Sequence, residues 1–322
     1  MRGHGPAWGT TLAILTGCLG PVASTAALPV APAPTMAEAS CPAGSTVDII
    51  AHPDDDLLFQ GATLVSDVAG GRCVRTVYVT AGGDDRPDWY WRAREAGVEA
   101  AYARLSGHAN EWTTATAAVT GHAITQRTLA ADPRISLLFL RLPDGGLDGQ
   151  GLASTRGQSL KKLRDGSIGT IDTVVGGQSF TAAGLVDVLV ALLRDFAPDA
   201  VHTLDFDGVD GDGDHSDHYA VAAFAAEAQA RYSTPHSFVG FEGYGIAGLP
   251  ENVVGPVLDQ KRAAFLAYGQ YDFLSCGVLS ACGRRPEGAW LSREYTVAGS
   301  TPRPLPAPQP GAAPRSDSAG GS

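Results

Sequence analysis

The sequence predicts an α/β fold with a mostly parallel sheet, helices on both faces and a β-hairpin insertion. A buried strand at 47–51 is followed by helical apolar spacing at 57–71 and by a second buried strand at 74–80. A strand, a helix and a strand at this spacing form a βαβ unit, which requires parallel strands. Strands and helices alternate again in the second half of the chain, which indicates the same class.

The other predicted elements follow in chain order. Residues 86–107 predict an Ala-, Arg- and Glu-rich helix, and 111–142 predict the β-hairpin followed by a core strand at 135–142. Polar, glycine-rich residues at 146–177 indicate a surface loop. Beyond them, the pattern predicts helices at 181–196, 218–232 and 258–272 and strands at 199–206, 238–245 and 290–297.

The charge of the chain argues against one class of partner. Its 322 residues include 34 acidic and 23 basic side chains, which gives a formal net charge of -11. Nucleic-acid binding needs a basic footprint, so no nucleic-acid partner is expected.

The start of the chain has the composition of an export signal. Residues 1–27 combine Arg2, a short apolar run and small residues, as in a secretory signal peptide. Leu-Thr-Gly-Cys at 15–18 also resembles a lipobox, so the alternative to secretion is a lipid anchor on Cys18. The apolar run is too short to cross a membrane, and no transmembrane helix is expected in the mature chain.

Composition also predicts the domain organisation. Ala- and Pro-rich residues precede the first strand, and Pro, Ala, Gly and Ser dominate the end of the chain, which is therefore predicted to be disordered. The resulting segments are a signal peptide, a linker, one folded domain and a tail, at 1–27, 28–45, 46–297 and 298–322.

Four cysteines remain once Cys18 is set aside, an even number that fits an oxidising compartment. Cys41 and Cys73 each precede a predicted strand, so both lie at one sheet edge and can pair if those strands are parallel neighbours. Cys276 and Cys282 would then close a small loop. Three pairings are formally open, and free thiols are the alternative.

The first buried strand ends in a histidine, a proline and three consecutive carboxylates. Pro53 favours an extended His52 and stops the strand, so His52, Asp54 and Asp55 are expected on a tight turn at the carboxyl end of a central strand. Ligands of open α/β sheets bind at that edge. Clustered carboxylates repel one another, and a divalent cation removes this cost.

A second group of acids and imidazoles occupies residues 210–218 and follows the predicted strand at 199–206. If this segment opens a helix, His215 and His218 share one helix face. A catalytic zinc usually takes three nitrogen or oxygen ligands from the protein and keeps one open position for water. His52, Asp55 and His218 supply such a set from two distant parts of the chain.

Neighbouring side chains provide candidates for the chemistry. Asp54 adjoins a ligand and is the candidate general base. His215 lies one helical turn before His218, where it can stabilise an oxyanion or protonate a leaving group. Asp217 or another loop acid is expected to orient an imidazole from behind. The remaining histidines of the domain lack neighbouring acids in register and are predicted to be structural: His108, His122, His202 and His236.

Two further features are candidate substrate contacts. The rings of Trp89, Tyr90 and Trp91 follow the second strand, where Trp89 and Trp91 can stack on a sugar; the same rings would equally serve to hold the helix start against the core. Asp144 follows the strand at 135–142 and either contacts the substrate or only turns the chain.

The acids of the second loop allow another metal. Calcium prefers oxygen-rich loops, but this loop lacks the glycine and the glutamate of an EF-hand, and an exposed solvated loop is the simpler interpretation. A structural Ca²⁺ at 205–214 is the remaining expectation, with these acids as ligands: Asp205, Asp207, Asp210, Asp212 and Asp214.

The motifs at the two ends resemble those of a known family. Ala51 to Asp56 (AHPDDD), Gly61-Ala62-Thr63 and His215-Ser216-Asp217-His218 are similar to the motifs of the PIG-L/LmbE-like zinc-dependent N-acetylglucosaminyl deacetylases. The likeness spans roughly residues 46–297. It implies a Rossmann-like sheet and removal of an N-acetyl group from an amino sugar or glycoconjugate.

The resemblance also implies roles for single residues. His52, Asp55 and His218 match the metal ligands, Asp54 the general base, His215 the histidine that stabilises the oxyanion, and Asp144 an acid that lines the site. This chain departs from the family in three places: Asp56 replaces the glutamate that supports the ligands, Ser216 replaces a proline, and Gly213 stands where some members have a tyrosine.

Two alternatives remain open at this point. The first is a calcium-stabilised secreted carbohydrate-binding module without turnover. The second is a zinc amidase acting on a non-sugar acyl-amine.

Overall fold

A computed structural model of the chain describes Met1 and residues 40–301. The chain divides into the units Met1–Ala37 and Glu38–Ser322, and every element below belongs to the second. The predicted signal peptide 1–27 with its Cys18, the linker up to residue 39 and the tail from 302 lie outside the described residues.

The fold is built on one seven-stranded sheet in the order β3-β4-β5-β2-β1-β8-β9. Its five parallel strands follow the order 3-2-1-4-5 of a Rossmann-like fold, which confirms the predicted class. The strands are β1 Ser45–Ile50, β2 Cys73–Thr80, β3 Trp112–Val119, β4 His122–Leu129, β5 Ile135–Leu142, β8 Ala200–Thr203 and β9 Ser237–Gly240.

The predicted hairpin is found, and it extends the sheet. β3 and β4 pair antiparallel over eight residues each, and β4 pairs antiparallel with β5. A separate two-stranded hairpin pairs β6 Ile171–Asp172 with β7 Ser179–Phe180. Its first strand and a short helix lie within the segment 146–177, and its second strand follows directly after. The prediction of a featureless loop there was therefore too simple.

Helices cover the sheet in two groups, as right-handed crossovers on either side of the central strand require. α2, α3 and α7 pack together, and α4, α5 and α6 pack together. The helices are α1 Asp55–Phe59, α2 Gly61–Ala69, α3 Trp89–Ser106, α4 Leu160–Arg164, α5 Ala182–Phe196, α6 Ser216–Ala230, α7 Gly255–Tyr268, α8 Leu279–Cys282 and α9 Pro286–Leu291.

The central strands are buried along their whole length, as their apolar sequences predict. Asp48 is the one charged residue of β1, and the parallel register places it opposite His202 of β8, with Asp48 Oδ1 3.0 Å from His202 Nδ1. The statement that His202 lacks an acid in register was wrong, because the two residues become neighbours only through the pairing of β1 with β8. Each of these buried charges thereby gains a partner.

The C-terminal segment differs from the prediction of a strand at 290–297. α9 reaches Leu291, because Pro286 at its start favours a helix, and the chain then pairs with the outer edge of β9 only at single bridges. Phe238 exchanges backbone hydrogen bonds of 3.1 and 2.7 Å with Thr301. The chain thus covers an otherwise open sheet edge up to residue 301, beyond the predicted start of the tail at 298.

Both expected disulfides form. Cys41 pairs with Cys73 at the edge where β1 and β2 begin, and Cys276 pairs with Cys282 in the loop around α8. The first disulfide joins cysteines 32 positions apart in the sequence, and the second joins cysteines only 6 positions apart.

The two disulfides should differ in their contribution to stability. In the chain-entropy description the longer loop contributes about 3–4 kcal/mol and the short loop about 2 kcal/mol. Cys41→Ser/Cys73→Ser is therefore expected to lower the free energy of unfolding in urea more than Cys276→Ser/Cys282→Ser. Equal losses, or a larger loss at the short loop, would contradict this.

Candidate metal centre

The two sequence motifs meet at the switch point of the sheet. β2 and β5 lie on one side of β1, and β8 and β9 lie on the other. His52 follows β1 by two residues, and the loop after β8 leads to His218 in the first turn of α6. The strand order therefore changes direction at β1. Open α/β folds bind their ligands in the crevice at the carboxyl ends of the strands at such a point.

His52, Asp55 and His218 come together as predicted. Asp55 lies between the two imidazoles, with Oδ2 3.1 Å from His52 Nδ1 and Oδ1 3.2 Å from His218 Nε2. The ring centroids of the two histidines are 5.4 Å apart, and all three residues are buried. One donor atom from each lies within 4.8 Å of the others, so the three can share one ion.

The turn that presents these acids is strained. Asp54 has φ 156° and ψ -18°, in a region that side chains rarely adopt and that costs about 1–3 kcal/mol. The neighbouring Asp55 carboxylate accepts the His52 backbone N–H at 2.7 Å and holds the turn closed. Both acids line the adjoining cavity, but Asp55 contacts the two histidines and Asp54 does not.

A second set of potential ligands shares His52 and adds Asp144, His215 and Asp217. Several of its atoms accept hydrogen bonds from backbone amides, whereas Asp217 Oδ1 is buried without a hydrogen-bond partner. Asp144 accepts hydrogen bonds from Gly146 and Asp84, Asp217 Oδ2 accepts one from Gly145 at 2.8 Å, and His215 Nδ1 accepts the Asp217 N–H at 3.2 Å. We take His52, Asp55 and His218 as the preferred set, because two imidazoles and one carboxylate are ligands of the kind that catalytic zinc uses.

An acid stands behind each histidine of the preferred set. Asp217 Oδ2 lies 3.3 Å from His52 Nε2, on the side of the ring opposite Asp55. Asp214 Oδ1 lies 2.9 Å from His218 Nδ1, a close ionic contact outside hydrogen-bond geometry. Carboxylates in such positions orient ligand histidines and increase their basicity. Asp214 was not identified as an orienting acid, although its position four residues before His218 is a usable signal.

The charges of this cluster shift its protonation. Burial alone lowers the pKa of His218, but the Asp55 and Asp214 carboxylates raise it to about 10. Burial raises the pKa of Asp55, but the positive charges of His218 and His52 hold it well below the ordinary range. Without an ion, the protonated imidazoles thus balance the buried carboxylates.

Asp54 has a partner that the sequence did not reveal. Arg94 on α3 donates from Nη2 to Asp54 Oδ1 at 2.5 Å, and its own position is fixed by the Gly82 carbonyl at 2.8 Å and the Tyr268 hydroxyl at 2.7 Å. Burial raises the pKa of Asp54 to about 7, against the lowering effect of Arg94. An arginine inside a helix with charged residues on several sides carries no signal of such a contact.

His215 presents one defined nitrogen to the cavity. Its Nδ1 accepts the Asp217 backbone N–H at the start of α6, so in the neutral ring the proton resides on Nε2. Burial and the positive charges of His52 and His218 lower the pKa of His215 to about 4. At neutral pH this side chain is a hydrogen-bond donor through Nε2.

Asp56 lies in a different environment from its neighbours. It is fully buried and accepts hydrogen bonds from the hydroxyls of Tyr78 at 2.8 Å and Tyr102 at 2.7 Å. Burial raises the pKa of Asp56 to about 7. Its contacts thus anchor α1 to β2 and α3, beneath the turn that carries Asp54 and Asp55.

The two tryptophans have different positions. Trp91 is 2% exposed, with the guanidinium carbons of Arg92 and Arg141 4.1 and 5.0 Å from its ring centroid. Trp89 is 57% exposed and packs against Phe273, with ring centroids 5.4 Å apart. Asp144 is buried, lies 3.7 Å from His215 Nε2 and lines the cavity around the histidines.

The structure does not support a calcium site in the loop 205–214. Its acids are engaged separately: Asp205 by two backbone amides, Asp210 by Arg164, Asp212 by Tyr219 and Asp214 by His218. Within residues 40–301, groups with metal-binding geometry occur only around His52, and these loop acids form none. The expectation of a structural Ca²⁺ is therefore not supported, because acids that alternate along this loop contact different partners.

The contact between Asp214 and His218 can be tested by substitution. Asp214→Asn should weaken metal binding by about 10–100-fold, because the histidine loses the carboxylate that orients it. Asp207→Asn changes an exposed acid of the same loop and should leave metal affinity unchanged. Competition with a chromophoric chelator measures both. Equal metal affinities for the two variants would show that Asp214 does not support the metal site.

Metal binding should also release protons. A metal ligand must be deprotonated, and the metal-free His218, with its pKa of about 10, carries a proton at neutral pH. Metal affinity should therefore rise with pH through the neutral range. Calorimetric titration with Zn²⁺ at pH 7 should give binding enthalpies that differ between buffers of different ionisation enthalpy, whereas identical enthalpies would show that no proton leaves.

Within the described part of the chain, no helix is long and apolar enough to cross a membrane. Comparison with curated proteins gives no match.

Solved structures with related folds include a conserved protein from Thermus thermophilus, with 20% identity, coverage of 81% of this chain and 96% of that one, and a TM-score of 0.42. An N,N'-diacetylchitobiose deacetylase from Pyrococcus horikoshii is 16% identical, with 71% of each chain covered and a TM-score of 0.43. A teicoplanin deacetylase is 17% identical, with 70% of this chain and 83% of that one covered and a TM-score of 0.40. Similarities this low assign no activity.

The sequence itself matches a family profile over residues 47–229, more than half of the chain, and this range includes both motifs of the metal centre. The profile is described as PIG-L, GlcNAc-PI de-N-acetylase. The chain belongs to the PIG-L family.

Proposed function

We propose that the protein is a secreted, zinc-dependent hydrolase that removes an N-acetyl or other N-acyl group from an amino sugar or glycoconjugate. The observation that carries this proposal is the buried set His52, Asp55 and His218 with Asp54 facing the adjoining cavity. Membership of a family described as a de-N-acetylase supports the same reaction.

Zinc fits the donor atoms of this site. Two imidazoles and one carboxylate form a set of nitrogen and oxygen ligands of the kind that catalytic zinc uses. Buried carboxylates surround the histidines, so a divalent cation would replace the protons that balance them in its absence. When bound there, zinc polarises a carbonyl and lowers the pKa of water.

Asp54 is placed to act as the general base. Its carboxylate lines the cavity, its side chain is 14% exposed, and its pKa of about 7 suits proton transfer near neutral pH. Arg94 fixes the carboxylate through Oδ1, which leaves Oδ2 to take a proton from the attacking water. Asp54 then holds the proton that the departing amine needs.

His215 is placed to stabilise the oxyanion. Because its Nδ1 is occupied by a backbone amide, the neutral ring offers a hydrogen bond from Nε2. Donors aimed at a developing oxyanion are worth about 3–4 kcal/mol of barrier. Asp54 then returns its proton to the nitrogen as the carbon–nitrogen bond breaks, so that water and amide become carboxylic acid and amine.

Secretion is part of the proposal. The two disulfides of the domain support an oxidising compartment, where such bonds persist. The signal-like segment 1–27 is consistent with export.

The proposed function is tested by amine release. The purified protein should release amine from N-acetylated sugars, lose this activity on chelation and regain it with Zn²⁺. Asp54→Asn should keep its zinc and lose about 10²–10⁴-fold in kcat. Asp259→Asn, an exposed acid of α7, is the control and should behave as the wild type.

Three results would contradict this account. Loss of zinc together with activity in Asp54→Asn would make Asp54 a ligand. Sugar binding without turnover would indicate a binding module. Turnover of acyl-amines that lack a sugar, with none on N-acetylated sugars, would indicate an amidase of another specificity.

A further inference from the structure

A second and larger cavity adjoins the one that contains the histidines. The cavity around His52 and Asp54 has a volume of about 260 Å³, and its neighbour about 560 Å³. Asp144 lines both, which makes it the shared wall. The larger volume lies within the range of small-molecule sites, about 300–1,000 Å³.

The boundary between the cavities is a strained turn after β2. Asp84 and Asp85 both have positive φ values, 45° and 53°. Asp84 lines the cavity with the histidines, and Asp85 lines the larger one. The Asp84 N–H donates to Asp144 Oδ2 at 3.2 Å, and Asp85 Oδ1 accepts the Ser154 N–H at 2.8 Å. These two hydrogen bonds hold the turn in its unfavourable backbone conformation. Residues with such conformations are found most often at functional sites.

The charges that line the larger cavity disfavour an anion. Four carboxylates face two guanidiniums, those of Arg86 and Arg156. Both arginines are already paired: Arg86 Nε donates to Asp84 at 3.2 Å, and Arg156 forms an ion pair with Asp172. Each guanidinium of this wall thus already has a carboxylate partner, and an anionic group would meet an excess of like charge.

The lining offers hydrogen bonding in place of stacking. Trp91 forms part of the wall, but it is 2% exposed, and the guanidiniums of Arg92 and Arg141 already lie over its ring. The lining includes carboxylate oxygens, those of Asp88 and the second oxygen of Asp85 among them, and hydroxyl groups such as that of Ser154. Carboxylates and hydroxyls of this kind accept hydrogen bonds from sugar hydroxyls.

We propose that the larger cavity binds a second, uncharged saccharide unit linked to the N-acylated sugar, so that the substrate contains at least two units. This inference rests on the proposed function, and it names the substrate class for the same site. It disfavours a phosphodiester-linked substrate, because the negatively charged phosphate would lie beside a cavity wall that has an excess of carboxylates.

Two adjacent valines provide the test. Val174 lines the larger cavity, whereas Val175 is 44% exposed and does not line it. Val174→Trp places a large side chain in the cavity and narrows it, and Val175→Trp is the matched control. Amine release is measured on the methyl glycoside of N-acetylglucosamine, on a neutral N-acetylglucosaminyl disaccharide and on N-acetylglucosamine joined to inositol through a phosphodiester.

In the wild type, the disaccharide should have a kcat/KM at least about tenfold above that of the methyl glycoside and of the phosphodiester. Val174→Trp should remove this advantage, mainly through a higher KM, and leave the methyl glycoside within about twofold of the wild type. Val175→Trp should leave kcat/KM unchanged for both the disaccharide and the methyl glycoside.

Several outcomes would overturn the inference. These are equal kcat/KM values for the methyl glycoside and the disaccharide, a preference for the phosphodiester, or an equal loss on all substrates in Val174→Trp. If no substrate is hydrolysed, the proposed function fails separately. Calorimetric titration of the wild type and of Val174→Trp with the disaccharide then tests, without turnover, whether the larger cavity binds the second sugar. Equal affinities for the two proteins would refute the inference.

Discussion

The constraint on which this structure depends is the burial of several carboxylates at one crevice of the sheet. Asp55, Asp214 and Asp217 lie among two imidazoles and are almost fully removed from water. Such charges are tolerated only when they are paired. In the absence of an ion, protonated His52 and His218 provide the pairing, and the strained turn at Asp54 remains in place because Asp55 is fixed at its next position. The same balance prepares the site for a divalent cation.

The parallel sheet makes this convergence possible. Residues 52 and 218 are far apart in sequence, yet each follows a strand that ends at the same edge, on the two sides of the switch point. Strand order and chain direction follow from alternating strands and helices, which is why the fold class and the pairing of the two histidine motifs could be predicted. The disulfide between Cys41 and Cys73 follows from the same reasoning, since both residues precede neighbouring parallel strands.

Contacts that depend on register or on a helix face could not be predicted. The ion pair of Asp48 with His202 exists only because β1 and β8 pair in one register. Arg94 reaches Asp54 from a helix that is charged on several sides, so its sequence does not distinguish it from a solvated arginine. The segment from 290 to 301 was misjudged for a related reason: its apolar alternation resembles a strand, but the edge of β9 accepts it only at isolated bridges. The acidic loop was misjudged for a different reason: its oxygen-rich composition suggested a shared ion, whereas four of its five acids each contact a separate partner.

The central claim, that His52, Asp55 and His218 hold one ion, is tested most directly by X-ray absorption at the zinc edge of the loaded protein. The account predicts nitrogen and oxygen ligands at about 2.0–2.1 Å, with scattering from two imidazoles in the wild type and from one in His218→Ala. A spectrum that is unchanged by His218→Ala would contradict it.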